Sequence, residues 1–131
     1  MRFLATSTIT KNPLKFCADM EYLNKVELQG IVGTATIERV DKLYLARFSV
    51  MTEYAHRNYK GENIVEIMWW RVCAHCVPSS EIADTLNSLR KGDIVRLQGR
   101  LRKVIINGTD QNEVVAVPRS IKIVKHHNES N

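Results

Sequence analysis

Two adjacent tryptophans, Trp69 and Trp70, stand in a run that reads as a β-strand: Ile64, Val65, Ile67, Met68, Trp69, Trp70, Val72. Neighbouring side chains of a strand point to opposite faces, so the two rings cannot share a side. Such a strand needs a core on one face and a use for an indole on the other. Val72 and Ala74 share the face of Trp70, which assigns Trp70 to the core. Trp69 shares its face with Arg71. A ring beside a guanidinium on an open sheet suits a flat anion such as a single nucleic-acid strand, whose bases stack and whose phosphates pair with arginine. A partner subunit or a loop laid over Trp69 satisfies the same pattern.

The rest of the chain supplies the strands around this one. Lys25-Val26-Glu27-Leu28-Gln29 alternates as a half-buried strand does. Gly30 and Gly33 interrupt it before Ile37, marking a bulge or bend. A long bent first strand is what a small closed barrel requires. Arg39 to Lys42 reads as a turn, and Leu45 to Thr52 as a second strand. In it Ala46, Phe48 and Val50 face inward, and Arg47 and Ser49 outward. Glu53 to Asn63 carries Tyr54, His56, Arg57, Tyr59, Lys60 and Gly61 and reads as a long hairpin loop. A plain hairpin turn needs only about two to five residues, and longer loops often carry function. A solvated loop with incidental tyrosines is the plain alternative.

After the tryptophan strand, Ser80 caps a helix whose stripe is Ile82, Ala83, Leu86 and Leu89. Arg90-Lys91-Gly92 stops it. Ile94 to Leu101 is a fourth strand, with Val95, Leu97, Gly99 and Leu101 inward and Arg96, Gln98, Arg100 and Arg102 outward. Asn107-Gly108 is a hairpin signal. A fifth strand is expected from Val114 to Val124, with Pro118 marking an edge or bulge. The expected division is an arm over residues 1–19, one domain over 20–124 and a disordered polar tail over 125–131. Met20 is a candidate alternative start. The order strand, strand, strand, helix, strand, strand predicts an all-β chain: a five-stranded OB-fold barrel with one short helix between strands 3 and 4. That fold binds oligonucleotides on the face of strands 2 and 3.

Charge and chemistry narrow the function. The net charge is +5, from 19 Lys and Arg against 14 Asp and Glu, which favours an anionic partner. No acid separates Asp93 from Asp110, whereas Arg96, Arg100, Arg102 and Lys103 all fall between them. Three cysteines cannot close a disulfide framework and fit a reducing cytoplasm. No apolar run is long enough to span a bilayer, so no membrane is expected. Cys73-Ala74-His75-Cys76 invites a zinc reading, but a second ligand pair at finger spacing is missing. His126 and His127 would complete it only by folding the tail back. Glu53, Glu62 and Glu66 have no catalytic partner, and there is no phosphate-cradling glycine loop. Neither an enzyme, a metal nor a cofactor is expected.

The segments, taken together, resemble the bacterial single-stranded DNA-binding proteins. Leu23 to Gly33 resembles their opening run, Ala46 to Thr52 their second strand, and Trp69-Trp70-Arg71-Val72 their third. Leu89 to Gly92 and Val95 to Arg102 resemble the approach to the fourth strand and that strand itself. The likeness covers residues 23–124 in order. It implies a non-enzymatic protein that holds single-stranded DNA in replication, recombination or repair as a homo-oligomer, a dimer or tetramer. Trp69 falls on the family's stacking tryptophan and Arg71 on its phosphate-binding arginine. Trp70 replaces a histidine at a subunit contact. Tyr54 or His56 falls near a second stacking aromatic, His75 where phenylalanine is frequent, and Lys25 on a basic position. Ile106 stands where many members carry another tryptophan, and the acidic tail that recruits partners is not seen. Primosomal replication protein N, an OB-fold accessory protein, is the second resemblance. The expected DNA-binding set is Lys25, Arg47, Tyr54, His56, Arg57, Tyr59, Lys60, Trp69, Arg71, His75, Arg100, Arg102 and Lys103.

Overall fold

The computed structural model describes residues 22–127; the expected arm over residues 1–19 lies outside the described residues, as do residues 128–131. Six strands follow in chain order: β1 (Val26–Val40), β2 (Leu43–Arg57), β3 (Asn63–Cys76), β4 (Ile94–Ile106), β5 (Thr109–Ala116) and β6 (Lys122–Lys125). A helix, α1 (Glu81–Asn87), joins β3 to β4. β1 serves two neighbours. Its first part pairs with β4, from Val26 opposite Gly99 to Ile31 opposite Ile94. Its second part pairs with β2, as far as Val40 opposite Leu43. The changeover sits at Gly30 and at a register shift between Val32 and Ala35. A side chain at Gly30 would run into the Met51 carbonyl, so only glycine lets the two strands cross this closely. A short parallel pairing of β3 with β5, Val72 opposite Val114, closes the ring β1-β2-β3-β5-β4. This is the OB-fold barrel that the order of elements predicts.

The inward alternation holds as expected on the barrel strands. Val50, Val72, Val95, Leu97 and Val114 are fully buried, and each contributes about 1.5–3 kcal/mol by leaving water. Ser80 Oγ accepts the Ala83 amide at 3.3 Å and starts α1. Ala83, Leu86 and, just past the helix, Leu89 are buried in the same core. The bases after α1 act from beyond its last turn. Arg90 Nη1 donates to the Asn87 and Leu89 carbonyls at 2.9 and 3.0 Å.

Four boundaries differ from the sequence expectation. β2 runs on to Arg57 and β3 begins at Asn63, so Tyr54 and His56 lie in strands rather than in a loop. The connecting turn is only Asn58 to Glu62, tied by Asn58 Oδ1, which accepts the Lys60 and Glu62 amides. β4 likewise extends past Leu101 to Ile106. The expected single fifth strand is broken after Ala116. Pro118 has no amide hydrogen to give a ladder, and it opens a 3-10 turn over Pro118–Ser120 before β6 pairs with β4. Finally, the first three residues of the expected tail are tied to the barrel. Lys125 ends β6, and His126 Nδ1 and the His127 amide reach the buried Asp93 carboxylate at 3.2 and 3.0 Å.

Candidate nucleic-acid interface

The outer face of β3 carries Trp69, Arg71, Cys73 and His75 in line. Across the ladder, Met51 lies opposite Trp69, Ser49 opposite Arg71, Arg47 opposite Cys73 and Leu45 opposite His75. Directly opposed residues share a face, so Arg47 and Trp69 stand on one surface as the alternation predicts. Trp69 is 59% exposed, whereas Trp70 on the other face is half-buried against the core. Trp70 Nε1 donates to Thr52 Oγ1 at 2.8 Å, which satisfies the indole where it enters the barrel. The two rings therefore divide as the sequence predicts.

A cleft of about 360 Å³ opens beside Trp69. Its walls include Thr34 and Thr36 of β1, Arg47 and Ser49 of β2, and Trp69 and Arg71 of β3. Ser49 Oγ accepts the Thr34 amide at 3.0 Å and lies 3.2 Å from Thr34 Oγ1. Arg71 Nη2 donates to Gln111 Oε1 on β5 at 3.0 Å, which leaves most of its donors free. The surface thus offers an exposed ring, two arginines and hydroxyls that can donate or accept. Thr34, Thr36 and Gln111 were not expected in the site. Gln111 is out of reach of local reading, because it meets Arg71 across a parallel pairing closed late in the chain. Ser49 was readable, since alternation already put it beside Arg47.

The same face continues over β5 to β4. Cys73 opposes Val115, and Val115 opposes Arg100, so Arg100 joins this surface. Arg102 joins it too, but its guanidinium is engaged. Nε and Nη2 both donate to Glu113 Oε1, at 3.0 and 2.7 Å, and Glu113 is buried. Nη2 also lies 3.6 Å from Cys73 Sγ. Burial pushes the Cys73 thiol up, the Glu113 charge adds to this, and Arg102 opposes both. Cys76 sits on the opposite, inner face in the core. The two thiols therefore point apart, and the His126 and His127 contacts go to Asp93. Among the described residues no group of three or more His, Cys, Asp or Glu could hold a metal.

Other members of the expected set are dispersed. Beyond the barrel, β2 and β3 form a two-stranded ribbon. Tyr54 opposes Glu66 and His56 opposes Ile64, so both aromatics lie on the face of Trp70, opposite to Trp69. Tyr54 stacks on His56 with centroids 5.4 Å apart, and His56 Nε2 is 2.7 Å from Glu66 Oε2. Arg57 ends β2 on the Trp69 face. Tyr59 and Lys60 sit at the tip, fully in solvent, with Lys60 Nζ 5.7 Å over the Tyr59 ring. Lys103 points away from Arg102 on the β4–β5 hairpin, whose Asn107-Gly108 turn has both residues at positive φ. Lys25 is exposed just before β1, beside Val26 and its partner Gly99.

Solved structures similar to this chain include several single-stranded DNA-binding proteins. A Plasmodium falciparum single-stranded DNA-binding protein in complex with single-stranded DNA matches at 25% identity and a TM-score of 0.64, covering 81% of this chain and 96% of that one. A small single-stranded DNA-binding protein from Streptomyces coelicolor matches at 20% identity and 0.54, covering 76% and 92%. The wild-type Thermus aquaticus protein matches at 18% and 0.63, and this chain spans 52% of its length. No protein-family model and no curated protein matches the chain. The barrel is thus an OB-fold of the single-stranded DNA-binding type. In fold, the chain is similar to these single-stranded DNA-binding proteins.

Proposed function

We propose that this chain binds single-stranded DNA with little regard to sequence and without catalysis. The observation that carries the reading is the outer face of β2 and β3, where exposed Trp69 shares an open cleft with Arg71 and Arg47. Bases stack on the ring, and the arginines that share its face take phosphates. Arg100 extends the basic path over β4, while Arg102, paired with Glu113, adds little net charge to it. The solved Plasmodium complex with single-stranded DNA supports the ligand class. Arg57, Tyr59 and Lys60 on the ribbon would follow the strand outward, and Lys25 and His75 would flank it. The cellular setting is replication, recombination or repair in the cytoplasm. In this reading copies associate into a homo-oligomer, a dimer or tetramer, and the exposed Val65 and Ile67 on the ribbon are apolar surface that association could cover.

Titration of tryptophan fluorescence with oligo(dT) at two salt concentrations tests this. Quenching should saturate, duplex of equal length should compete poorly, and affinity should fall with salt. Three phosphate contacts give a log–log slope near −2, at about −0.7 per contact on a single strand. Equal affinity for duplex and single strand would refute the reading. The exposed Val65 and Ile67 favour the second reading, an accessory OB-fold that binds protein as primosomal replication protein N-like modules do; it predicts no quenching by DNA.

A further inference from the structure

We infer that Gly33 is the seat of the Trp69 ring, a positioning residue for base stacking; this rests on the single-stranded DNA reading above. Trp69 stands on β3 and Gly33 on β1, with β2 between them. The indole reaches back across β2 over Ser49, so that its six-membered edge lies against the Gly33 backbone. A Cβ built on Gly33 would stand 2.5 Å from Trp69 Cζ3, 3.0 Å from Cη2 and 2.8 Å from Ser49 Oγ. Real Cβ atoms do not approach other atoms so closely. The backbone at Gly33 does not need glycine for its own sake: positive φ occurs among glycines at Gly61, Gly92 and Gly108, and not here. What the position needs is the absent side chain.

Two further features fix the seat. Gly33 falls within the register shift of the β1–β2 ladder between Val32 and Ala35, just past the last β1–β4 pair at Ile31, and lies under the ring. The next residue, Thr34, ties its amide to Ser49 Oγ, which holds the β1 backbone at that height. One edge of the indole is thereby held, while 59% of the side chain stays open to solvent. A ring held at its edge offers a fixed face, and a base that stacks on it loses less freedom than on a swinging side chain. Gly33→Ala would displace the ring end of Trp69 and the Ser49 hydroxyl rather than the barrel backbone, because the three nearest colliding atoms all belong to these two side chains.

The test compares Gly33→Ala, Trp69→Ala, Trp69→Phe and the two double variants by oligo(dT) affinity. It also follows acrylamide quenching of Trp69 in a Trp70→Phe background. Gly33→Ala should weaken binding about fivefold or more, the lower end for one base–aromatic stack. It should also make Trp69 more accessible to acrylamide with or without DNA. In the Trp69→Ala background it should cost nothing further. Trp69→Phe removes the indole's outer ring and should tolerate Gly33→Ala, even should Gly33→Ala alone fail to fold. Wild-type affinity and unchanged quenching in Gly33→Ala would overturn the inference. So would an equal loss in the Trp69→Ala background, or failure of the Trp69→Phe double variant to fold. Should the wild type not bind oligo(dT), the DNA reading fails, and acrylamide access still decides whether Gly33 seats the ring.

Discussion

Removing the two tryptophans one at a time separates the interface from the core. Trp70 is half-buried against core residues and spends its indole hydrogen on Thr52 at 2.8 Å. Truncation of a fully buried tryptophan costs about 3–5 kcal/mol. Half burial lowers this, and the lost hydrogen bond adds about 1 kcal/mol. Trp70→Ala should therefore cost about 2–3 kcal/mol, which for a domain of this size lowers the melting temperature by roughly 10 °C. Trp69 is mostly exposed, so Trp69→Ala should melt within a few degrees of wild type. Its loss should appear in binding, where one stacked base is worth about 1–3 kcal/mol, or about 5- to 150-fold in affinity. Thermal melting and oligo(dT) affinity, measured on the same preparations, give both numbers. Should Trp70→Ala abolish binding in a stable protein while Trp69→Ala binds normally, the β3 register used throughout is wrong by one residue. The binding face would then lie on the ribbon side that carries Tyr54.

Two other perturbations reach residues that hold the site or the fold in place. Gln111→Ala frees the Arg71 guanidinium from its 3.0 Å contact; affinity for oligo(dT) should fall severalfold, at about 0.5–1.5 kcal/mol for one hydrogen bond, with the salt slope unchanged. Arg71→Ala, by contrast, should flatten that slope by about 0.7, and equal slopes in the two variants would show that Gln111 does not act through orientation. For Asp93, burial pushes the carboxyl up, but the His127 and Arg90 amides and the His126 side chain outweigh it and hold it below its ordinary value. A folded-state value below the unfolded one stabilises at neutral pH and loses that contribution as pH falls through the carboxylate range. Asp93→Asn should accordingly melt lower at pH 7 and show a flatter fall in melting temperature between about pH 5 and pH 3 than wild type; parallel curves would refute the role given to this carboxylate.

Residues whose surroundings are local were legible in the sequence. Ser80 caps a helix three residues from the amide it accepts, and Asn107-Gly108 dictates its own turn. The alternation of Ala46, Phe48 and Val50 against Arg47 and Ser49 reports a core on one side and water on the other. The ribbon defeats that logic. From Glu53 to Arg57 both faces are wet, so polar and apolar residues have no period to follow, and the end of β2 reads as a loop. The same holds for β4 beyond Leu101. The clasp on Asp93 was illegible for another reason: its partners are 33 and 34 residues away in the chain. Arg102 looked like a free cation because nothing nearby reveals that Glu113, across the Asn107-Gly108 hairpin, is buried and turned toward it.

The corrected ribbon changes how the proposed interface must be used. The sequence expectation puts Tyr54, His56 and Trp69 in one DNA-binding set without saying whether they share a face. On the ladder, Trp69 faces one way and Tyr54 the other, so a strand lying flat on the barrel meets Trp69, Arg71 and Arg47 without meeting Tyr54. Reaching both requires the strand to cross the edge of the ribbon or round its tip, where Arg57, Tyr59 and Lys60 stand in solvent. Tyr54 already has one ring face against His56, which Glu66 holds from the other strand, so only its outer face is open to a base. Trp69 has arginines on its own face and a cleft beside it. The physical weight of the proposed site therefore rests on the barrel, with the ribbon as an extension engaged only by strands long enough to turn around it.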